Sequence, residues 1–316
     1  LHRGVEQRYR HVAWSGRATS RFFFAGAVVI LAMAALPLWL ADTTRYAEIR
    51  RFNYGLDASC AAKERFRPHA ACIREGRPGG ERILLWGDSN AMHLAPGLTT
   101  DPDVTVVQAT KTVCTPLSGA APILTHNHRY GLAWSQKCLK FNRSVLEYIA
   151  SADIDVVVIS TPFEVILDSR NRLLLASGRQ VGVRPDDAVG HMQRTAEAVR
   201  ALGPRVVFVS PPPRSDYETG ACLEKLARGQ LVMGRAAACE IHDDSPYNQR
   251  LSAFLDKLGQ REPLLNLFEV LCRNDMCRTT EDGRFIYRDE GHLSYEGSAL
   301  LFQRYGLGER ALELAR

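Results

Sequence analysis

The chain has 316 residues, 46% of them hydrophobic and 24% charged, with a net charge of +5. That composition excludes a disordered or fibrous chain and suffices for one large core or two smaller ones. Much of the positive excess lies before residue 22, so no nucleic-acid partner is expected from the charge.

The first element is a basic segment, residues 1–21, with Arg3, Arg8, Arg10, Arg17 and Arg21 against Glu6. FFFAGAVVILAMAALPLWLA follows at 22–41 without a charge. A helix of that length spans about 30 Å, the hydrocarbon thickness of a bilayer. Pro37 falls near its far end, and Trp39 stands where an interfacial aromatic belongs. The expectation is one transmembrane helix, with the arginines in the cytoplasm and everything after residue 42 outside. A buried core helix and a cleaved signal peptide are the alternatives. The chain begins with Leu1 and so reads as the C-terminal piece of something longer.

All eight cysteines follow that segment, none in a CxxC pair and none with zinc-finger spacing to histidine. An exported domain with disulfides between sequence neighbours is expected: Cys60–Cys72, Cys114–Cys138, Cys222–Cys239 and Cys272–Cys277. Reduced, buried thiols are the alternative. No metal site is expected. His126 and His128 read as part of a polar loop.

Residues 42–80 are polar and arginine-rich, a linker or a disulfide-pinned extension. From residue 81 strands and helices alternate. RILLWG (82–87) is a continuous apolar run ending in Gly, VTVVQA (104–109) is β-branched, and IDVVVIS (154–160) is the clearest buried strand. RVVFVSPPP (205–213) is a strand stopped by prolines, and PLLNLFEVLC (263–272) contains a short fifth strand. Helices are expected at 141–151, 187–202, 245–259 and 294–306, with Ser245 and Ser294 as N-caps and Gly259 just past its helix. Residues 214–244 read as an insertion. The alternation predicts a three-layer α/β/α fold with a five-stranded parallel sheet in flavodoxin-like order, its site at the C-terminal strand edges.

Gly87-Asp88-Ser89-Asn90 ends the first of these strands and opens a helix. A serine there sits beside unpaired helix N–H groups that could stabilise an oxyanion. It could equally be a helix cap. A nucleophilic serine needs a base and an orienting partner. YRDEGHLS (287–294) offers both, with Asp289 able to turn back to His292 Nδ1 and leave Nε2 for Ser89. His93 reads as a packed or solvated helix residue before it reads as a pocket residue.

LLWGDSNAMHLAPGL (84–98) and YRDEGHLSYEGSALL (287–301) resemble the first and last motif blocks of the SGNH (GDSL-like) hydrolases. They are more similar still to the SGNH domains fused to membrane acyltransferase-3 proteins. ATKTVCTPL (109–117), LCRNDMC (271–277) and GVEQRYR (4–10) before one span extend the likeness. The resemblance implies Ser89 as nucleophile, His292 as base and Asp289 as its orienter. It implies an oxyanion hole from Ser89 N–H, with Asn90 and Thr112 as further candidates. Asn90 stands where the fused family has His, and STPFEV (160–165) lacks the third-block Asn.

The resemblance also implies an organisation. Residues 1–21 would end a membrane acyltransferase domain, 22–41 span the inner membrane, 42–80 lie in the periplasm, and 81–316 form the catalytic domain. The implied activity is O-acyl transfer, most simply acetyl, to a cell-surface polysaccharide through an acyl-serine. Acetyl-CoA would be the ultimate donor to the full-length protein, and this domain would bind no cofactor. A membrane-anchored periplasmic carbohydrate esterase with the same triad and a non-catalytic glycan-binding module are the rival readings.

Overall fold

A computed structural model of the chain describes residues 16–40, 46, 49–232, 234 and 238–316. It separates into two compact units, residues 1–48 and 49–316. In the first, Gly16–Leu40 is a helix of 25 residues. Its described large apolar side chains are exposed, among them Phe22, Phe23, Phe24, Ile30, Leu31 and Met33. The basic segment lies outside the described residues up to residue 15, and the expected span at 22–41 runs beyond the described side chains after residue 34. Among the described residues no helix is long and apolar enough to cross a membrane.

The second unit is built on a six-stranded sheet. Its strands are β1 (Ile73–Arg74), β2 (Arg82–Gly87), β3 (Thr105–Thr110), β4 (Val156–Ser160), β5 (Arg205–Val209) and β6 (Leu264–Leu265). Their spatial order is β1-β3-β2-β4-β5-β6. β2 to β6 pair in parallel and have the flavodoxin-like order predicted for five strands. β1 is an addition. It pairs antiparallel with β3 and closes that edge. Residues 49–80 thus belong to the unit and do not form a separate linker, with the Cys60–Cys72 bridge pinning them beside β3.

The parallel strands alternate between two cores, which is why they read as unbroken apolar runs. Leu84, Trp86, Val107, Val157, Ile159 and Phe208 face one core, closed by helices Leu132–Ile149, Ala188–Arg200 and Pro246–Gly259. Ile83, Leu85, Val106, Val156, Val158 and Val207 face the other, closed by Tyr295–Tyr305 and Leu307–Ala315. This is the expected three-layer arrangement. The helix expected at 141–151 begins earlier, at Leu132, behind a Gly131 N-cap that makes no side-chain cap bond. The insertion at 214–244 carries a helix, Thr219–Ala227, and a short strand, Ile241–His242. Ser245 and Ser294 cap their helices by accepting from Asn248 N and Gly297 N. Gly259 is the last residue of its helix, not the one beyond. All four disulfides join the neighbouring cysteines expected.

Three strands finish level with one another. Gly87 pairs with Thr110 on one side and Ser160 on the other. The turn that follows Gly87 therefore lies at the centre of the sheet's C-terminal edge. A Cβ on Gly87 would lie 1.9 Å from Ser160 O and 2.6 Å from Ala91 Cβ, so no other residue fits without parting β2 from β4.

Candidate active site

Ser89 is the first residue of a short helix, Ser89–Met92. The cap is Asp88, whose Oδ1 accepts from Asn90 N at 3.0 Å. Ser89 is thereby relieved of the capping role, and its hydroxyl faces His292. His292 Nε2 lies 2.9 Å from Ser89 Oγ. His292 Nδ1 lies 2.9 and 3.0 Å from the two oxygens of Asp289. Residues separated by 203 positions in sequence thus form one hydrogen-bonded chain, Ser89–His292–Asp289.

The loop that carries Asp289 and His292 is shaped by the carboxylate itself. Asp289 Oδ1 also accepts from Gly291 N at 3.0 Å and His292 N at 2.8 Å, an Asx-type turn that folds the chain back on the side chain. The other oxygen is held by Arg288, with Nε at 2.9 Å and Nη2 at 2.5 Å. The Arg288 guanidinium in turn lies over the Phe52 ring at 4.9 Å. Burial acts to raise the Asp289 carboxyl. The His292 bond and charge, Arg288 and the Gly291 N–H outweigh it and hold Asp289 well below the usual carboxylate range. Asp289 is therefore ionised at every pH at which the imidazole can work as a base.

Two further contacts lock the loop onto the serine turn. The helix Tyr295–Tyr305 starts three residues after His292 and packs on Ala95–Leu98, six residues after Ser89. Gly97 allows that approach, because a Cβ there would sit 2.3 Å from the Phe302 ring. Gly97 N also donates to Ser298 Oγ at 3.1 Å. His93, fully buried, stands edge-on to the His292 ring with centroids 5.8 Å apart. Its Nδ1 accepts from Leu293 N at 3.4 Å, which places the ring proton on Nε2. Burial, and then the charges of His292 and Arg288, hold the His93 imidazole well below its ordinary value, so it stays neutral.

Asp88 is buried beneath the serine turn, with Thr161 Oγ1 donating to Oδ2 at 2.8 Å. Burial pushes its carboxyl up to about 6, against the lowering effect of the Asn90 and Thr161 bonds. The sequence motif held Asp88 and Arg288 in plain view. The cap and the clamp are made to residues two and one positions away, and what comes from far along the chain is Thr161 on Asp88 and the Phe52 ring under Arg288.

The expected oxyanion donors are placed as follows. Asn90 is buried, and its N–H is already engaged by Asp88. Thr112 follows β3, beside the serine turn, because Lys111 N donates to Gly87 O at 3.0 Å. The Thr112 N–H makes no hydrogen bond among the described residues. The next residue, Val113, has φ +50°, a strained value for a β-branched side chain. Three restraints hold it there. Trp134 Nε1 donates to Val113 O at 3.2 Å, and Lys111 Nζ lies 3.9 Å from the Trp134 ring centroid. Cys114 is bridged to Cys138 on the same helix. The fully buried Lys111 ammonium also donates to Lys63 O at 2.5 Å and Ala62 O at 3.2 Å.

His126 and His128 are exposed. Two groups of metal-type donors occur among the described residues, Cys60-His69-Cys72 and Asp243-Cys272-Cys277. In each, both cysteines are consumed in a disulfide, which removes their thiolates as ligands.

The family pattern of the SGNH domain fused to AT3 domains matches residues 59–306. The chain belongs to that family. Among solved structures, the periplasmic domain of the lipopolysaccharide acetyltransferase of Salmonella ser. Paratyphi A is similar in fold, with a TM-score of 0.50 and 18% identity. The match covers 83% of this chain and 93% of that one. The Bacillus subtilis protein YxiM also matches, at 12% identity and a TM-score of 0.35 over 74% of this chain and 56% of that one. No curated protein matches the chain. The SGNH membership makes this an acyl-related domain and accounts for the Gly-Asp-Ser and Asp-x-x-His blocks lying on one sheet edge.

Proposed function

We propose that the domain is an exported O-acyltransferase that carries an acyl group on Ser89 and delivers it to a sugar hydroxyl of a surface polysaccharide. The observation that carries this reading is the hydrogen-bonded chain Ser89–His292–Asp289, with Nε2 2.9 Å from Oγ. In the first half-reaction Ser89 Oγ attacks the acyl carbonyl while His292 Nε2 takes its proton. Asp289 holds the imidazole in the tautomer with its proton on Nδ1. The oxyanion lies between the N–H groups of Ser89 and Thr112. The tetrahedral intermediate collapses, the donor group leaves with the proton from His292, and acyl-Ser89 remains. In the second half, the acceptor hydroxyl attacks the acyl carbon and gives its proton to His292. The bond to Ser89 Oγ breaks, and that oxygen recovers the proton.

Several features support this reading. The family is defined by fusion to AT3 domains, and acyl delivery from such a domain in cis supplies a donor outside the membrane. The uncharged stretch 22–41, whose described side chains up to residue 34 are exposed and whose remaining side chains lie outside the described ones, is proposed as the inner-membrane anchor. The four disulfides fit a periplasmic location. The Salmonella structure is of a lipopolysaccharide acetyltransferase, which makes an acetyl group and a polysaccharide acceptor the first choice. Acetyl-CoA is proposed as the ultimate donor on the cytoplasmic side. The test is Ser89→Ala in producing cells, with NMR of the isolated surface polysaccharide. Loss of O-acyl signals supports transfer. Unchanged O-acylation refutes it, and an increase in O-acylation shows a deacylating esterase instead.

A further inference from the structure

The largest cavity described beside the catalytic loop, about 730 Å³, lies in the size range of small-molecule sites, about 300–1,000 Å³. Ser89 and His292 are not among its walls, yet the loop that carries His292 abuts it. Arg214, which lines the cavity, bonds Glu290 Oε1 at 3.3 Å, and Ser215 N donates to Glu290 O at 3.0 Å. Gly291 packs on the Arg214 stem, since a Cβ there would touch Arg214 Cγ at 3.3 Å. Glu290 and Gly291 are the two residues between Asp289 and His292. The Arg214–Ser215 side of the cavity therefore packs against the loop between Asp289 and His292.

Its chemistry is lopsided. Four carboxylates line it, Glu164, Asp216, Glu240 and Asp244, against one guanidinium and His242. The charge of Arg214 is already divided between Glu164 at 3.4 Å and Glu290 at 3.3 Å. An anionic ligand would meet net repulsion there. Ionised carboxylates accept hydrogen bonds and cannot donate them, so the cavity calls for a ligand rich in donors, such as hydroxyl groups. The Tyr217 ring offers an apolar face between these polar groups, while Tyr247 packs against the core with the Arg214 guanidinium 5.4 Å from its ring centroid. Burial, and then the neighbouring carboxylates, push both phenols up to about 12, so they stay protonated, with the Tyr217 hydroxyl donating to Glu240 O.

We propose that this cavity is the acceptor subsite and that it takes an uncharged sugar unit of the polysaccharide, excluding uronic and other acidic sugars. The proposal rests on the acyl-transfer reading of Ser89 and adds to it which sugar class can be acylated. The carboxylates and the Tyr217 ring select the sugar unit, and the Arg214–Ser215 wall, packed on Glu290 and Gly291, sets it beside the catalytic loop.

The test uses the Ser89→Ala chain, so that no turnover occurs, on an array of bacterial polysaccharides sorted into neutral, uronic-acid-containing and amino-sugar-containing sets. Binding confined to neutral glycans is expected. Tyr217→Ala should weaken it about tenfold or more. Asp244→Lys, an exposed charge reversal that the fold tolerates, should weaken neutral binding and admit uronic-acid glycans. Binding to uronic-acid glycans as strong as to neutral ones overturns the proposal. So does binding to cationic amino sugars alone, binding to none, or binding indifferent to both variants. The reading of Ser89 stands or falls separately: a wild-type chain whose Ser89 takes no covalent label refutes the acyl-serine without touching the array result.

Discussion

Asp88 gives the sharpest quantitative expectation. It is fully buried and caps the helix that begins at Ser89. A shift from 3.8 to about 6, at about 1.4 kcal/mol per unit, corresponds to about 3 kcal/mol. The sign follows from proton counting. Between about pH 4 and pH 6 the folded chain holds a proton on Asp88 that the unfolded chain has lost. Stability therefore falls as pH rises through that window, and the full cost is present above about pH 6. Asp88→Asn removes the charge and keeps the cap, because Asn caps helices as well as Asp does. Its amide can donate to Thr161 Oγ1 where the carboxylate now accepts. The variant should be more stable than wild type by up to about 3 kcal/mol near pH 7.5 and indistinguishable from it near pH 4. Urea unfolding of the disulfide-intact chain at both pH values measures this. A destabilised variant at pH 7.5, or a gain of the same size at both pH values, would refute the reasoning.

Other expectations concern the chain of residues around Ser89. Asp289→Asn should cut kcat on an aryl acetate by about 10⁴-fold, because the imidazole loses its orienting anion; stopped-flow and steady-state kinetics read this. The same change should flatten the acid limb of the unfolding curve. Asp289 is held below the usual range, so its stabilisation is present above the unfolded carboxyl value and lost as pH falls below it. Lys111→Met should lower kcat by about 10–100-fold with little change in KM, and Lys111→Arg should recover part of it, if the brace on Val113 holds the Thr112 N–H in place. An equal rise in KM would show that Lys111 serves only the fold. Gly87→Ala should cost about 3 kcal/mol or more and abolish activity, since the new Cβ would meet the Ser160 carbonyl at 1.9 Å; thermal unfolding and activity at low temperature separate the two effects.

The parts of the fold that sequence revealed are those whose physics is local. β2 to β5 are buried on both faces, so they appear as continuous apolar runs whatever surrounds them. Ser245, Ser294 and the prolines after β5 announced element ends for the same reason. β1 escaped because two residues carry no period. A separate three-stranded sheet, Ala120–Ile123 with Arg172–Leu175 and Gln180–Gly182, also escaped, since AAPI shows neither alternation nor β-branched density. The start of the helix at Leu132 was hidden by a glycine cap that leaves no side-chain signal.

In the site, Ser89, Asp289 and His292 were legible because the spacing Asp-x-x-His is itself the geometry of the turn. The Thr161 bond to Asp88, the Phe52 ring under Arg288 and the edge-on His93 were not, because each is defined by a partner supplied through tertiary packing. His93 proved to be a packed residue and a neighbour of the His292 ring at once. The N–H of Asn90, a residue whose counterpart under the resemblance is His, serves the Asp88 cap instead of standing free.

The central claim is that Ser89 is an activated nucleophile. Incubation of the folded chain with a serine-directed phosphonate, followed by peptide mass spectrometry, tests it most directly. The account predicts a single adduct on the peptide containing Ser89, lost in His292→Ala. A folded chain with no adduct there, or with labelling that persists undiminished without His292, would contradict it.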